Sequence, residues 1–350
     1  MLIEWVGNFH SHTRFSDGTA THRRIAEAAA QAGLDGVAVT DHNVWVKGLQ
    51  GYYGEVLLLV GEEVHDPCRQ PQVNHALILG LGRELAPLAA SPQALIDAAR
   101  EQGALVFLAH PVERSPGWLQ RRMGEPPLPW VDREVSGFTG LEVWNTMSEF
   151  KARLRTPLHA LYYAFFPARF LRGPFPETLR WWEQLWLQGI PAVAIGGADA
   201  HGHTYALGPL RRVLFPYEWL FRAVNTHLLL DQPLAREPEA DWAVIRAALQ
   251  AGRAWVANDL LGSSRGFRFE ARSGHRQATM GEALRRAGAV RFEASAPLPG
   301  EFRLIRFGSG VVARGRGRRF QHLTAEPGIY RMEVYRRGRL WILTNPIRVE

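Results

Sequence analysis

Short apolar runs recur along the first two thirds of this chain, and most of them stop at a histidine, an aspartate or a glutamate. Leu2 to Phe9 leads into His10 and His12; Gly36 to Thr40 ends at Asp41-His42-Asn43; Glu55 to Val60 ends in Gly61-Glu62-Glu63-Val64. Ala104 to Leu108 stops at Ala109-His110-Pro111, Gly140 to Trp144 at Asn145, and Ile190 to Ile195 at Gly196-Gly197-Ala198-Asp199-Ala200-His201, while His75 opens the run HALILGLG. Such runs are too short for typical helices and read as buried strands. Between them lie helix-forming stretches with their own stop signals. Thr21 to Gly33 has a threonine cap and a terminal glycine, Ser91 to Gly103 has Ser91 as cap with proline at its first position, and Asp241 to Gly252 again ends in glycine. Strands alternating with helices predict an α/β fold built on a mainly parallel sheet or barrel, whose ligands are carried at the strand ends.

Strand side chains alternate, so His10 and His12, two residues apart, project from the same face. Asp17 follows beside Gly18 in a turn. Collected from all the strand ends, His10, His12, Asp17, His42, Glu63, His75, His110, Asp199 and His201 form a set that holds six of the 13 histidines. Nine nitrogen and oxygen donors exceed the three or four that one catalytic zinc needs, which predicts two or three divalent metal ions sharing a carboxylate. On chemistry alone Glu62 competes with Glu63. Asp41 is expected to orient a neighbouring ligand. Arg14, Lys47 and Arg114 flank the ligand motifs and are candidates for binding a substrate anion, and His65 and His203 are candidate acids at the outer rim.

With 350 residues, 46% of them hydrophobic, the chain can bury a substantial core. One cysteine, Cys68, excludes an intrachain disulfide and a cysteine-rich zinc site. The start MLIEWVGNFH lacks the basic opening and sustained apolar stretch of a signal peptide, and no run is long enough to span a bilayer, so a cytoplasmic protein is expected. The formal charge of +7 comes from arginine; Lys47 and Lys151 are the only lysines. Arginines crowd into RGRGRR (Arg314 to Arg319) and YRRGR (Tyr335 to Arg339). A nucleic-acid surface is one reading of these runs, but the scarcity of lysine throughout favours a solvated arginine-rich face. The aromatic stretch from Pro157 to Trp186, which includes His159, is expected to pack as ordinary helices or a lid rather than against a membrane. From Gly266 onward, alternating segments (FRFEA, VRFEA, FRLIRF, YRMEVY, LWILT) separated by glycine and proline predict a small antiparallel β-sandwich. That places a boundary near Asp259 to Ser264, with units at 1–258 and 259–350. His275 and His322 are read as surface residues.

In order along the chain, HSHTRFSDG, TDHN, GEEV, the histidine of HALILG, AHP and DAH resemble the polymerase and histidinol phosphatase (PHP) metallohydrolases. GLEVWN, LQAGRAWVAND and the closing YRMEVY and WILTNPI resemble the carbaryl-hydrolase-related branch, which appends a β-rich C-terminal domain. The resemblance implies a distorted seven-stranded β/α (TIM-like) barrel holding two or three metal ions. It further implies that His10, His12, Glu63 and Asp199 hold one metal, that Glu63 bridges to a second held by His75 and His110, and that Asp17, His42 and His201 hold a third. The family spacing G-x-E selects Glu63 over Glu62. Some relatives carry histidine where Asp17 stands; manganese, zinc and iron all suit such a site. The reaction expected is hydrolysis of a phosphate ester, with Asp17 or Asp199 assisting proton transfer. Hydrolysis of a carboxyl ester, amide or carbamate at the same site is the alternative, and a nuclease or nucleic-acid-binding module is a third. The substrate is expected to be a small anionic or ester molecule, and the oligomeric state is left open.

Overall fold

The computed structural model describes residues 2–114, 126–207 and 210–350. Strand β1 (Ile3–Asn8) is followed by α1 (His22–Ala32), β2 (Gly36–Val39), β3 (Gly51–Tyr53), β4 (Val56–Val64) and β5 (Ala76–Leu79). Next come α2 (Pro92–Glu101), β6 (Leu105–Leu108), β7 (Gly140–Asn145), α3 (Thr146–Arg153), α4 (Pro157–Phe165), α5 (Pro176–Leu187) and β8 (Val193–Gly197). A short hairpin of β9 (Thr204–Leu207) and β10 (Leu210–Val213) leads to α6 (Tyr217–Leu220), β11 (Val224–Leu230), α7 (Pro238–Ala251) and β12 (Ala254–Asn258).

The helices begin and end where local chemistry dictates. The Thr21 hydroxyl accepts the amide of Arg24 at the start of α1, and Gly33, with φ 81°, closes it in the left-handed conformation. Gly252, with φ 68°, does the same for α7. Ser91 stands at the N-cap of α2 without a capping hydrogen bond, so Pro92 alone marks that start. The buried residues of α1 (His22, Ile25, Ala26, Ala28, Ala29) form one stripe facing the sheet.

Pairing runs β1–β2–β4–β5–β6–β7–β8 and is mainly parallel, as expected, with two antiparallel steps. Pairs β1–β2, β2–β4, β6–β7 and β7–β8 are parallel, whereas β4–β5 and β5–β6 are antiparallel. A parallel step needs a crossover long enough to return the chain to the same end. No helix separates β4 from β5, and that connection reverses direction instead. Strand β4 also changes partner along its length, pairing with β2 over Leu57–Val60 and with β5 over Gly61–Val64. Gly61 sits at the change; a Cβ there would lie 2.4 Å from the Ile78 carbonyl oxygen.

The ends of this run meet. Ser11 bridges Ala200 in parallel, with the His12 amide donating to the Ala200 carbonyl at 2.9 Å and the Ala200 amide to the His10 carbonyl at 3.3 Å. Deeper in, side chains replace the ladder. Thr226 on β11 accepts the Gly196 amide at 2.9 Å and donates back to its carbonyl at 2.8 Å. Asn8 donates to the Val224 carbonyl at 2.9 Å and accepts the Ala198 amide at 3.1 Å. Asn345, far along the chain, accepts the Ala194 amide at 2.7 Å and donates to the Ala194 carbonyl at 2.9 Å.

After a short turn over Asp259–Leu261 the chain becomes all-β: β13 (Arg268–Ser273), β14 (Arg276–Thr279), β15 (Ala283–Leu284), β16 (Val290–Arg306), β17 (Gly310–Thr324), β18 (Gly328–Arg336), β19 (Arg339–Thr344) and β20 (Ile347–Val349). Two of the expected short strands, VRFEA and FRLIRF, are one: β16 runs for 17 residues and absorbs Pro297 and Pro299 in a bulge where its register with β17 shifts. Antiparallel pairing of β12 with β19, Trp255 opposite Thr344, joins this part to the rest in one 18-stranded network. Hydrogen bonding therefore draws no line between a barrel and a separate sandwich. Its buried side chains include Trp255, Phe267, Phe269, Phe292, Phe302, Tyr330 and Trp341.

The arginine-rich RGRGRR run lies in β17, which among the described strands pairs only with β16. Arg314, Arg316, Arg318 and Arg319 are exposed, with Glu301 taking Arg314 and Arg316. Charge on an exposed edge discourages pairing with another chain, which accounts for the run as a solvated face. The aromatic stretch departs from expectation: only Tyr163 of α4 is buried. In α5 the expectation holds, with Trp181, Trp182 and Trp186 buried and the Trp182 and Trp186 indoles both donating to the Ala192 carbonyl. No helix among the described residues is long and apolar enough to cross a membrane.

Candidate metal centre

The nine expected donors come from the ends of β1, β2, β4 and β8, from the starts or flanks of β5 and β6, and from the turn after β1. They converge around Glu63. Strand alternation turns the two neighbouring carboxylates apart: Glu62 points away and accepts the amides of Leu85 and Ala86 at 3.0 and 3.2 Å, and burial raises its pKa to about 7. Glu63 faces the histidines.

Its two oxygens serve two groups. One oxygen of Glu63 lies 3.0 Å from His10 Nε2 and 3.1 Å from His12 Nε2, and those two nitrogens are 3.1 Å apart. Asp199 approaches the same pair at 3.4 and 3.3 Å. The other oxygen of Glu63 lies 2.9 Å from His75 Nδ1 and 3.2 Å from His110 Nε2. On the solvent side Asp17 is 3.2 Å from His201 Nε2, 3.7 Å from His42 Nε2 and 3.8 Å from His12 Nδ1. The ligand atoms fall into overlapping groups, His10-His12-Glu63, Glu63-His75-His110 and His12-Asp17-His42-His201, with His42-His65-His75 as a further set.

These donors fit divalent cations. Nitrogen and oxygen ligands at about 2.0–2.1 Å in a tetrahedral shell stand about 3.3–3.4 Å from one another, close to the spacings found. Two imidazole nitrogens face each other across 3.1 Å, the buried Nδ1 of His12 has no hydrogen-bond partner, and that of His42 makes no hydrogen bond although it lies 3.3 Å from Glu63. A buried polar atom left alone is costly unless something binds it. The electrostatics agree. Burial opposes charging His10, yet the carboxylates of Glu142, Glu63 and Asp199 raise its pKa well above the usual imidazole value. Burial likewise opposes charging His12 and His110, but bonds to Asp199 and Glu63 for the first, and to Glu63 for the second, bring each up to about 9. Glu63 and Asp199 are held well below the carboxylate range by the surrounding histidines despite their burial. The pocket favours positive charge.

The backbone is bent to present some of these groups. His110 and Asp199 adopt φ of 27° and 54°, a region that residues with a Cβ seldom occupy. Gly197 leaves room beside them: a Cβ there would lie 2.4 Å from a Glu142 carboxylate oxygen and 2.8 Å from His10 Cβ.

Supporting residues escaped the sequence reading. Glu142 on β7 takes His10 Nδ1 at 3.0 Å with one oxygen, and the His110 amide and the Asn145 side chain, each at 2.9 Å, with the other. Asn145 also reaches Asp199 at 3.4 Å. The Tyr217 hydroxyl lies 2.8 Å from the His12 carbonyl and 2.6 Å from that of His201. A charged residue inside the apolar run GLEVWN was the available signal for Glu142. Asp41, expected to orient a ligand, binds Thr13 through its amide at 2.7 Å and hydroxyl at 2.6 Å, and the Ser16 hydroxyl at 2.7 Å, which ties down the turn that carries Asp17.

The other candidates lie around this centre. His65 stacks on His75, with ring centroids 4.2 Å apart and its buried Nδ1 unpartnered. His203 bonds the Asp17 carbonyl at 2.7 Å. Arg114 pairs with Glu177 at 3.0 Å and covers the Phe175 ring, Lys47 lies over Trp45, and Arg14 is exposed. His159 bonds Thr156.

Glutamine at position 142 offers one acceptor oxygen where three donors now share two. Glu142→Gln is therefore expected to weaken metal binding by about 10- to 100-fold while the fold persists. Chelator competition followed beside circular dichroism measures both.

Residues 8–109 match the family model of the PHP domain. An uncharacterized protein of Methanocaldococcus jannaschii is 31% identical over 112 residues, which cover 30% of this chain and 60% of that protein; the match thus spans about three fifths of the curated relative. Among solved structures, a two-domain protein from Bacteroides vulgatus containing a predicted PHP-like metal-dependent phosphoesterase superposes with a TM-score of 0.47 at 17% identity, covering 99% of this chain and 95% of that one.

Proposed function

We propose that this protein is a metal-dependent hydrolase acting on phosphate esters, with its donors organised as two or three metal sites around Glu63. The observation that carries the reading is the shared carboxylate: one oxygen of Glu63 faces His10 and His12, the other His75 and His110. Within this reading, the run β1–β2–β4–β5–β6–β7–β8, whose ends meet at Ser11 and Ala200, is the distorted seven-stranded barrel. Residues 259–350 form the appended β unit.

Divalent ions held there would acidify water and offset the charge that develops on a phosphoryl group. The chain's own residues do the rest. Glu142 fixes His10 through Nδ1 and so directs its Nε2 inward. The carbonyls of Gln72 and Leu128 hold the outer nitrogens of His75 and His110, at 2.7 and 3.2 Å. Asp17, whose side chain is half-exposed, would pass a proton to solvent, while buried Asp199 would keep its charge against His10 and His12. Arg14, Lys47 and Arg114 are the candidate cations for the substrate anion, and Arg114 also pairs with Glu177.

Turnover of para-nitrophenyl phosphate, a bis-aryl phosphodiester and para-nitrophenyl acetate, each with manganese or zinc restored after chelation, tests the reading. Phosphate-ester turnover that disappears with the metal and in His10→Ala is expected. Turnover of the carboxyl ester alone would replace it with the carbamate or ester hydrolase alternative. Failure to bind metal would remove both.

A further inference from the structure

Helix α4 turns its apolar stripe the wrong way for a core helix. Leu158, Leu161, Tyr162 and Phe165 recur at the spacing that aligns side chains along one face, and Phe166 extends the row. Leu158 and Phe165 are 76% and 70% exposed, and Leu161, Tyr162 and Phe166 about half. Scattered single apolar residues on a surface need no explanation, but a contiguous row of large ones marks a contact site.

What surrounds the row identifies the contact. Arg155, Arg169, Arg172 and Arg337 are exposed, and Arg339, beside them, donates to the Ala168 carbonyl at 2.6 Å. The guanidinium of Arg339 is pushed down by burial and then by the nearby charges of Arg169, Arg172 and Arg337. None of these five forms an ion pair with a carboxylate among the described residues. A second copy of the chain docking symmetrically would set this cluster against itself. Nucleic acid would answer the charge but leave the leucines in water. An anionic bilayer answers both, with leucine and aromatic side chains entering the headgroup boundary and arginines meeting lipid phosphates. Nine residues of helix are far too short to span the apolar layer, so the element would lie along the surface.

We propose that α4 and the arginines around it form a peripheral docking face for an anionic lipid surface. The intact protein is sedimented with vesicles of phosphatidylcholine, and of phosphatidylcholine mixed with phosphatidylglycerol, at low and high salt. Binding to the anionic vesicles alone, weakened by salt, is expected. Each arginine at such a surface contributes about fivefold to partitioning, so Arg169→Glu with Arg337→Glu should lower it by more than about tenfold. Leu161→Glu with Phe165→Glu should do the same. Both variants should keep the wild-type melting temperature and turnover, because the changed side chains are exposed and belong to none of the donor groups. Equal or absent binding to the two vesicle types overturns the proposal, as does unchanged binding by either variant. A dimer in light scattering that Leu161→Glu dissolves would assign the face to self-association instead.

Discussion

Glu63→Gln should remove catalysis almost completely and strip the protein of most of its metal. The carboxylate lies within about 3 Å of four histidine nitrogens that form two donor groups. Replacing its charge by an amide withdraws one unit charge from beside each cation. At about 4 Å and an effective dielectric of about 20, one such interaction is worth about 4 kcal/mol, or about a thousandfold in affinity. Elemental analysis after dialysis should show the metal content collapse, with turnover falling by about three orders of magnitude. Glu62→Gln is the matched control. Its side chain caps the amides of Leu85 and Ala86 instead, so it should cost stability and leave the metals in place. Retention of metal and activity in Glu63→Gln would sink the shared-carboxylate reading.

The second large effect concerns stability. His227 on β11 is buried against the Trp255 ring, with Nδ1 3.0 Å from Glu4 and Nε2 3.1 Å from Asp259. The Ser264 hydroxyl joins Nε2 at 3.0 Å, and Glu4 also accepts the Gly266 amide at 2.7 Å. One imidazolium thus ties the first strand to the turn after β12. His227→Leu leaves the largely buried Asp259 carboxylate without its cation and Glu4 with Arg268 alone, 3.3 Å away, a class of change that costs about 3–5 kcal/mol. With about 2.1 cal/mol/K of unfolding entropy per residue over 350 residues, a melting temperature lower by about 4–7 °C is expected.

The pH dependence gives this triad a signature. Burial opposes charging His227, but Asp259 and Glu4 raise its pKa to about 9. A raised imidazole pKa contributes stability that is whole below the unfolded value of about 6.5 and is lost as pH climbs through about 9. Glu4 and Asp259 are lowered despite burial, chiefly by His227, so their contribution is whole above the ordinary carboxylate range and is lost only in acid. The difference in melting temperature between wild type and His227→Leu should therefore be widest between about pH 4.5 and 6.5 and shrink toward pH 9. A gap constant across that range would show that packing against Trp255, not the ion triad, sets the cost.

The donors were legible because strand ends announce themselves: an apolar run that stops at a histidine fixes both direction and place. Pattern alone left Glu62 and Glu63 equivalent. The G-x-E spacing of the resemblance selected Glu63, and the pairing of Glu63 opposite Leu77 and of Glu62 opposite Ile78, with the alternation it enforces, supplies the physical reason. Glu142 was hidden by its setting, since a carboxylate in the middle of GLEVWN gains meaning only when His10 and the His110 amide are brought to it from distant strands. The same holds for Glu4, His227 and Asp259, which share no local motif. Proline misled in VRFEASAPLPGEFRLIR, where it reads as a strand end but is absorbed by a bulge. The face of α4 was misread because periodicity says that a helix has an apolar side and not whether that side finds a core.

The hold of Asn345 on Ala194 has a temporal meaning. The strand that delivers Asp199 and His201 is stitched on one edge by a side chain 151 residues later in the chain. During synthesis the early histidines emerge long before that stitch exists. The strand that carries the last two donors is thus completed on one edge by a residue made after every donor residue.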